Sequence, residues 1–205
     1  MCLTTRVASV AVALVASASA AAAQPVLTFS TSGAFGGAGC SSSSCTFGGF
    51  TLSYTGTNSA SYFSPSLVDL GQFTAIATGS SQGSTPIGSG ATFTLTITET
   101  SPAVGARSIV GSLGGSFAYN PSQSSLIFTP SSRTFTVDDA IYTLVTDNNG
   151  GINIAAPTAA ANGNPKATIV KANVVATVVP EPSTCALLGV GFVGTLAAVR
   201  RRRSA

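Results

Sequence analysis

The chain has 205 residues, no histidine or tryptophan, only 7% charged residues and a formal charge of +3 that comes from its C-terminal end. Between residues 24 and 179, Arg107, Arg133, Lys166 and Lys171 face Asp69, Glu99, Asp138, Asp139 and Asp147, so that stretch is close to neutral. A near-neutral stretch without a basic cluster excludes nucleic-acid binding by phosphate neutralisation. Without histidine, and with few carboxylates, the usual sets of nucleophile, base and orienting group cannot be assembled either, so no enzyme and no cofactor is expected.

In chain order, Met1 to Ala23 carries one charge (Arg6), an apolar run from Val7 to Val15 and small residues from Ala16 onward. That is the pattern of a secretory signal peptide, which makes signal peptidase a partner. Cleavage is expected after Ala21-Ala22-Ala23, with Ala18-Ser19-Ala20 as the alternative site. No cysteine follows the cut, so a lipoprotein anchor is not expected, and Cys2 is lost with the signal.

Residues 24–179 have the length of one compact domain. They are rich in Thr, Ser, Gly, Val and Phe and are broken every ten or so positions by Gly, Pro or Asn, which is the pattern of an all-β chain. The fold expected is an antiparallel β-sandwich, jelly-roll or immunoglobulin-like, flanked by an N-terminal signal helix and a single C-terminal transmembrane helix.

The first strand is expected at Val26–Ser30, followed by a Gly/Ser-rich loop from Gly33 to Ser44. Within the loop and just after it, Cys40 and Cys45 are the only cysteines of the domain, and in an exported chain they are expected to form a disulfide. A zinc site is excluded because it wants four ligands and there is no histidine. A second strand is expected over Thr46–Thr55, with Gly48-Gly49 marking a bulge. A third, Leu67–Thr78, is shifted by Gly71.

From Thr92 to Thr100 apolar and polar residues alternate without a break, placing Phe93, Leu95 and Ile97 on one face and five threonines on the other. A solvent-facing β-branched ladder explains the threonines. An ice-templating surface would need several stacked strands with the same motif, and the ladder is also a candidate acceptor for O-linked sugar. A Gly-punctuated strand pair follows over Ser108–Tyr119, then short strands at Leu126–Phe128, Thr134–Val137 and Ala140–Thr146. Asp147-Asn148-Asn149-Gly150-Gly151 reads as a tight hairpin turn leading to Ile152–Ala155. Asp138, Asp139 and Asp147 form the acidic cluster. They are candidate oxygen ligands for Ca²⁺, although the spacing matches no calcium loop and turn-capping carboxylates are commoner. A loop over 157–166 precedes the longest strand, Ala167–Val179, where Val170, Ala172, Val174, Ala176 and Val178 share one face.

The last 26 residues carry the clearest signal. Pro180-Glu181-Pro182 cannot continue a helix and forms a stiff extended strip. Residues 183–199 are apolar, and as a helix they reach roughly 25 Å, just enough to span a bilayer with flanking help. Arg200, Arg201, Arg202 and Arg203 would be retained on the cytoplasmic side, which puts the rest of the chain on the far side. Gly189 to Gly194 fits the letters G-x-G-x-x-G, but the strand, helix and acidic residue of a dinucleotide site are missing around it. Small residues in a membrane helix are the simpler explanation.

The order Val179-Pro180-Glu181-Pro182-Ser183-Thr184, the Leu/Gly-rich span (Leu187, Leu188, Gly189, Gly191, Gly194, Leu196) and the closing arginines resemble the PEP-CTERM sorting signal of exported bacterial proteins. The resemblance covers about an eighth of the chain. The tail is also classified with ice-binding proteins, a label that implies nothing about ice binding here. The resemblance implies processing by exosortase, a membrane-embedded cysteine transpeptidase, at or beside Pro180-Glu181-Pro182. It also implies transient residence in the inner membrane of a Gram-negative, polysaccharide-producing bacterium. The expectation is an exported, non-enzymatic protein of the cell envelope or biofilm matrix, with extracellular polysaccharide as a further candidate partner. The alternative is a lectin-like glycan-binding module, calcium-dependent through the acidic cluster, which would need a groove of exposed aromatics drawn from Tyr54, Tyr62, Tyr119 and Tyr142.

Overall fold

The computed structural model describes residues 24–77, 84–118, 125–157 and 165–176, together with Gly189 and Gly191. The signal segment 1–23, Tyr119, and the tail with Pro180, Glu181, Pro182, the rest of the 183–199 stretch and Arg200–Arg203 lie outside the described residues.

Alternation of apolar and polar residues with a period of two builds an all-β structure. Its strands are β1 Val26–Gly36, β2 Ser44–Phe47, β3 Phe50–Gly56, β4 Ala60–Phe63, β5 Ser66–Ala77, β6 Thr85–Pro86, β7 Thr92–Ser101, β8 Gly105–Gly114, β9 Ser116–Phe117, β10 Ile127–Pro130, β11 Thr134–Val137, β12 Ala140–Leu144, β13 Ile152–Asn153 and β14 Lys166–Ala176. Two six-stranded antiparallel sheets, ordered β13-β10-β8-β7-β1-β4 and β11-β12-β14-β5-β3-β2, enclose one core, and β6 pairs with β9 as a small third sheet.

In β7 the side chains of Phe93, Leu95 and Ile97 are buried and the threonines face outward, as the alternation predicts. On that outer face serines of the neighbouring strands join the threonines, and the Thr96 and Ser108 hydroxyls lie 2.9 Å apart. In β14 the buried residues are Val170, Ala172, Val174 and Ala176, again the predicted face. The sheets meet through aromatic rings. Phe73 of β5 packs against Phe93 of β7 with centroids 4.7 Å apart, and Tyr54, Phe35 and Phe128 surround the pair. Gly33 leaves the room these rings occupy, since a Cβ there would fall 2.4 Å from the Tyr54 ring and 2.5 Å from Phe93.

Four sequence expectations change. The first strand runs on to Gly36, so the predicted loop starts later; Phe35 is buried and keeps the inward face of β1 going. Thr46–Thr55 is a hairpin rather than one bulged strand, with β2 and β3 joined at Gly48-Gly49, whose φ values of 53° and 125° make the turn. Residues 60–63, not read as a strand, form β4 on the edge beside β1. Asp147–Gly151 does not close a hairpin: β12 pairs within one sheet and β13 with β10 in the other, so the turn crosses between sheets. The shift expected at Gly71 is present, as the β14–β5 register slips between Val170 and Lys171.

The inter-sheet rings should dominate stability. Phe73→Ala is expected to cost about 3–5 kcal/mol by opening a cavity, and Gly33→Ala about 1–3 kcal/mol by overpacking. Urea unfolding followed by far-ultraviolet circular dichroism measures both, and wild-type midpoints for either variant would contradict the assignment.

Candidate functional site

The region where the chain enters and leaves the two sheets concentrates the unusual chemistry. Ser64, in the short connection between β4 and β5, is buried. Its backbone N–H donates to the Pro25 carbonyl at 3.0 Å, and its hydroxyl oxygen accepts the Ala176 N–H at 2.6 Å. One residue therefore fastens the entry to β1 and the exit from β14 to each other. The segment that follows Ala176 leads directly to Pro180-Glu181-Pro182.

Behind this clasp sits Glu99, the last inward position of β7, with 0% of its surface exposed. Its Oε1 accepts the Tyr142 hydroxyl at 2.5 Å, and its Oε2 has no hydrogen-bond partner among the described residues. Burial pushes the Glu99 carboxyl above the ordinary carboxylate range; the Tyr142 hydrogen bond opposes the shift, and the charges of Asp138 and Asp139 reinforce it. The Tyr142 phenol is pushed up as well, first by burial and then by Glu99. Glu99 was not singled out from the sequence, yet the signal was there. The parity that puts Phe93, Leu95 and Ile97 inside puts Glu99 inside too.

The acidic cluster is taken apart by the fold. Asp138 and Asp139 occupy the β11–β12 turn, and the Asp138 carboxyl lies against Gly105. Asp147 lies beyond the opposite end of β12 and caps its own turn. Its Oδ1 accepts the N–H groups of Asn149 and Gly151 at 3.0 and 2.9 Å, and its Oδ2 accepts the Asn153 side-chain amide at 2.8 Å. The three carboxylates proposed for Ca²⁺ thus do not converge, and among the described residues no group of three or more metal-ligating side chains does. Asp147 satisfies turn donors instead.

Cys40 and Cys45 are bonded to each other as expected. They close the loop leaving β1 at Gly36, where the Thr46 N–H also bonds the Gly39 carbonyl at 2.8 Å. The described tyrosines, Tyr54, Tyr62 and Tyr142, do not line a groove. Tyr142 is fully buried, and Tyr62 and Tyr54 pack against the core. The Tyr54 hydroxyl donates to the Leu70 carbonyl at 2.5 Å, and burial pushes its phenol up to about 12.

Residues 178–203 match the PEP-CTERM protein-sorting motif. The chain carries a PEP-CTERM sorting signal. The match begins two residues beyond Ala176, the last residue of β14, whose N–H bonds the Ser64 hydroxyl, so the PEP-CTERM signal follows the Ser64 clasp closely in the chain. It marks an exported protein that passes through the membrane and is processed by exosortase. Comparison with curated proteins and with solved structures gives no match. Among the described residues no helix is long and apolar enough to cross a membrane.

Because the folded-state pKa of Glu99 is raised, the folded chain holds a proton that the unfolded chain, with an ordinary value of 4.5, has released. Its contribution to stability is full below that value and is lost as pH rises through the raised one. Thermal melts of the wild type should therefore drop from pH 4 towards neutrality more steeply than those of Glu99→Gln, which keeps a neutral acceptor for Tyr142. Parallel profiles for the two proteins would show that Glu99 does not titrate in this way.

Proposed function

We propose that this chain is an exported, non-enzymatic β-sandwich protein of the cell envelope or biofilm matrix. An N-terminal signal peptide (1–23) starts its export, and signal peptidase removes that segment. The 183–199 helix and Arg200–Arg203 hold the precursor in the inner membrane until exosortase acts at Pro180-Glu181-Pro182. The sorting motif placed directly behind β14 carries this reading. Physical chemistry supports it. A proline-stiffened strip between a folded sheet and an apolar segment presents extended backbone to an enzyme, and the arginine cluster fixes the orientation.

The domain reads as cargo, with extracellular polysaccharide as the neighbour it would meet after release. Among the described residues, the glycan-binding alternative has a shallow polar cleft around Arg133, Asn148 and Asn149, where Arg133 reaches the Thr146 hydroxyl at 3.4 Å. That cleft has no aromatic platform, and the packed tyrosines favour the cargo reading over the lectin one.

Replacing Pro180-Glu181-Pro182 by three alanines should leave the full-length precursor in the inner-membrane fraction, seen by immunoblotting and by mass spectrometry of the C-terminus. Normal maturation of that variant would refute the sorting role of the motif.

A further inference from the structure

The exposed apolar side chains are unevenly distributed. Nine large hydrophobic side chains are exposed among the described residues, and six of them, Val26, Phe63, Leu67, Val104, Ile141 and Val175, fall at one end of the two sheets. The register fixes this placement. Val26 pairs with Phe63, Ile141 with Val175, and Leu67 with Asn173 two residues away, while Val104 sits in the β7–β8 turn where Glu99 pairs with Gly105. The Ser64 bonds to Pro25 and Ala176 fasten the start of β1 in one sheet to the end of β14 in the other here. Each of the six lies in a turn or within two residues of a strand end, so the apolar rim is about 7 Å deep along the strands. Its tips are Phe63 and Val104, 66% and 81% exposed.

The chain leaves from the same rim. Only residues 177–182 separate Ala176 from the apolar stretch 183–199. Even fully extended, that link spans at most about 25 Å, so a membrane-inserted tail holds this end, and not the opposite one, next to the bilayer. Apolar side chains on a 7 Å rim match the ~5–10 Å depth at which interfacial segments bury themselves. The charged groups nearest the rim are Asp138 and Asp139 in the turn before Ile141, Arg107, the exposed Asp69–Lys171 pair two residues in from Leu67, and the buried Glu99. So sparse and mixed a set leaves apolar contact as the attraction.

We propose that this end is a membrane-docking surface: in the precursor, Phe63, Val104 and their neighbours rest in the interfacial zone of the bilayer that holds 183–199. The proposal rests on the sorting reading. It adds that the domain is seated on the membrane with its exit strand down, which sets the height at which Pro180-Glu181-Pro182 is offered for cleavage.

The test uses precursor purified from cells lacking exosortase and placed in phosphatidylethanolamine/phosphatidylglycerol nanodiscs containing nitroxide-headgroup lipid. Amide relaxation should rise several-fold more at Val26, Phe63, Leu67 and Gly105 than at Val110 and Ile169. Phe63→Asp combined with Val104→Asp, both at exposed positions, should cut the difference several-fold, to what the tether alone gives, with the melting temperature unchanged and the tail still inserted. A wild-type difference no larger than that of the double variant, with the tail inserted in both, would overturn the docking surface and leave the sorting reading intact. A tail that does not stay with the nanodisc would overturn both. Protection of the rim in lipid-free solution that grows with concentration, or only after exosortase is added, would assign it to a second copy or to a protein partner and overturn the proposal.

Discussion

The contact between Phe73 and Phe93 is the constraint the rest of the structure depends on, because each of these rings also touches Phe35, Tyr54 and Phe128 and together they join the two sheets. A chain with so few charges cannot use surface ion pairs to define its shape. Lys171 and Asp69, 3.8 Å apart and solvent-exposed, are a pair of the kind that contributes little. Definition comes instead from rings fitted against small residues. Phe93 and Tyr54 fill the space over Gly33, and Phe128 fills that over Gly111, where a Cβ would meet the ring at 2.4 Å. Large side chains opposite glycines interdigitate to interior density, and this locks the relative position of the two sheets.

Towards the Ser64 end the inward face of β7 gives way from Ile97 to Glu99, and the aromatic core is replaced by a carboxyl held by Tyr142. A buried carboxyl is tolerated when it takes up a proton and hydrogen-bonds. Phe29 and Phe135 flank Tyr142, one edge-on at 6.1 Å and one stacked at 5.4 Å, so the polar pair is still packed by rings.

What the sequence made legible follows from how local each signal is. The faces of β7 and β14 could be read because alternation needs nothing beyond the strand itself. The slip at Gly71 and the Cys40–Cys45 bridge were readable for the same reason. Gly48-Gly49 was misread because two adjacent glycines inside an alternating run fit a bulge and a tight turn equally well, and only the partner of Phe50, which is Phe47, decides. The Asp147 turn was read correctly as a turn and wrongly as a hairpin, since turn chemistry does not say to which sheet the next strand belongs. The Ser64 clasp had no local signal at all. Its partners are 39 residues upstream and 112 residues downstream, and an isolated serine before a proline reads as an ordinary loop. The tail was the most readable part because its signal is compositional, whereas the role of the cargo is not written in any motif.

The strand order ties export to folding. β14 lies between β12 and β5, so without it that sheet is split into β11-β12 on one side and β5-β3-β2 on the other. Its partners on β5 lie about a hundred residues earlier, which makes this a late, non-local pairing with a high closure cost. The sheet can therefore be completed only after residue 176 has crossed the membrane, and the apolar stretch of the tail follows within seven residues. On the sorting reading proposed above, a tail held in the membrane would keep the end of β14 at its surface while β5 and β12 find it. On that reading the order of the chain would make the sorting signal also the holding point at which the domain finishes folding.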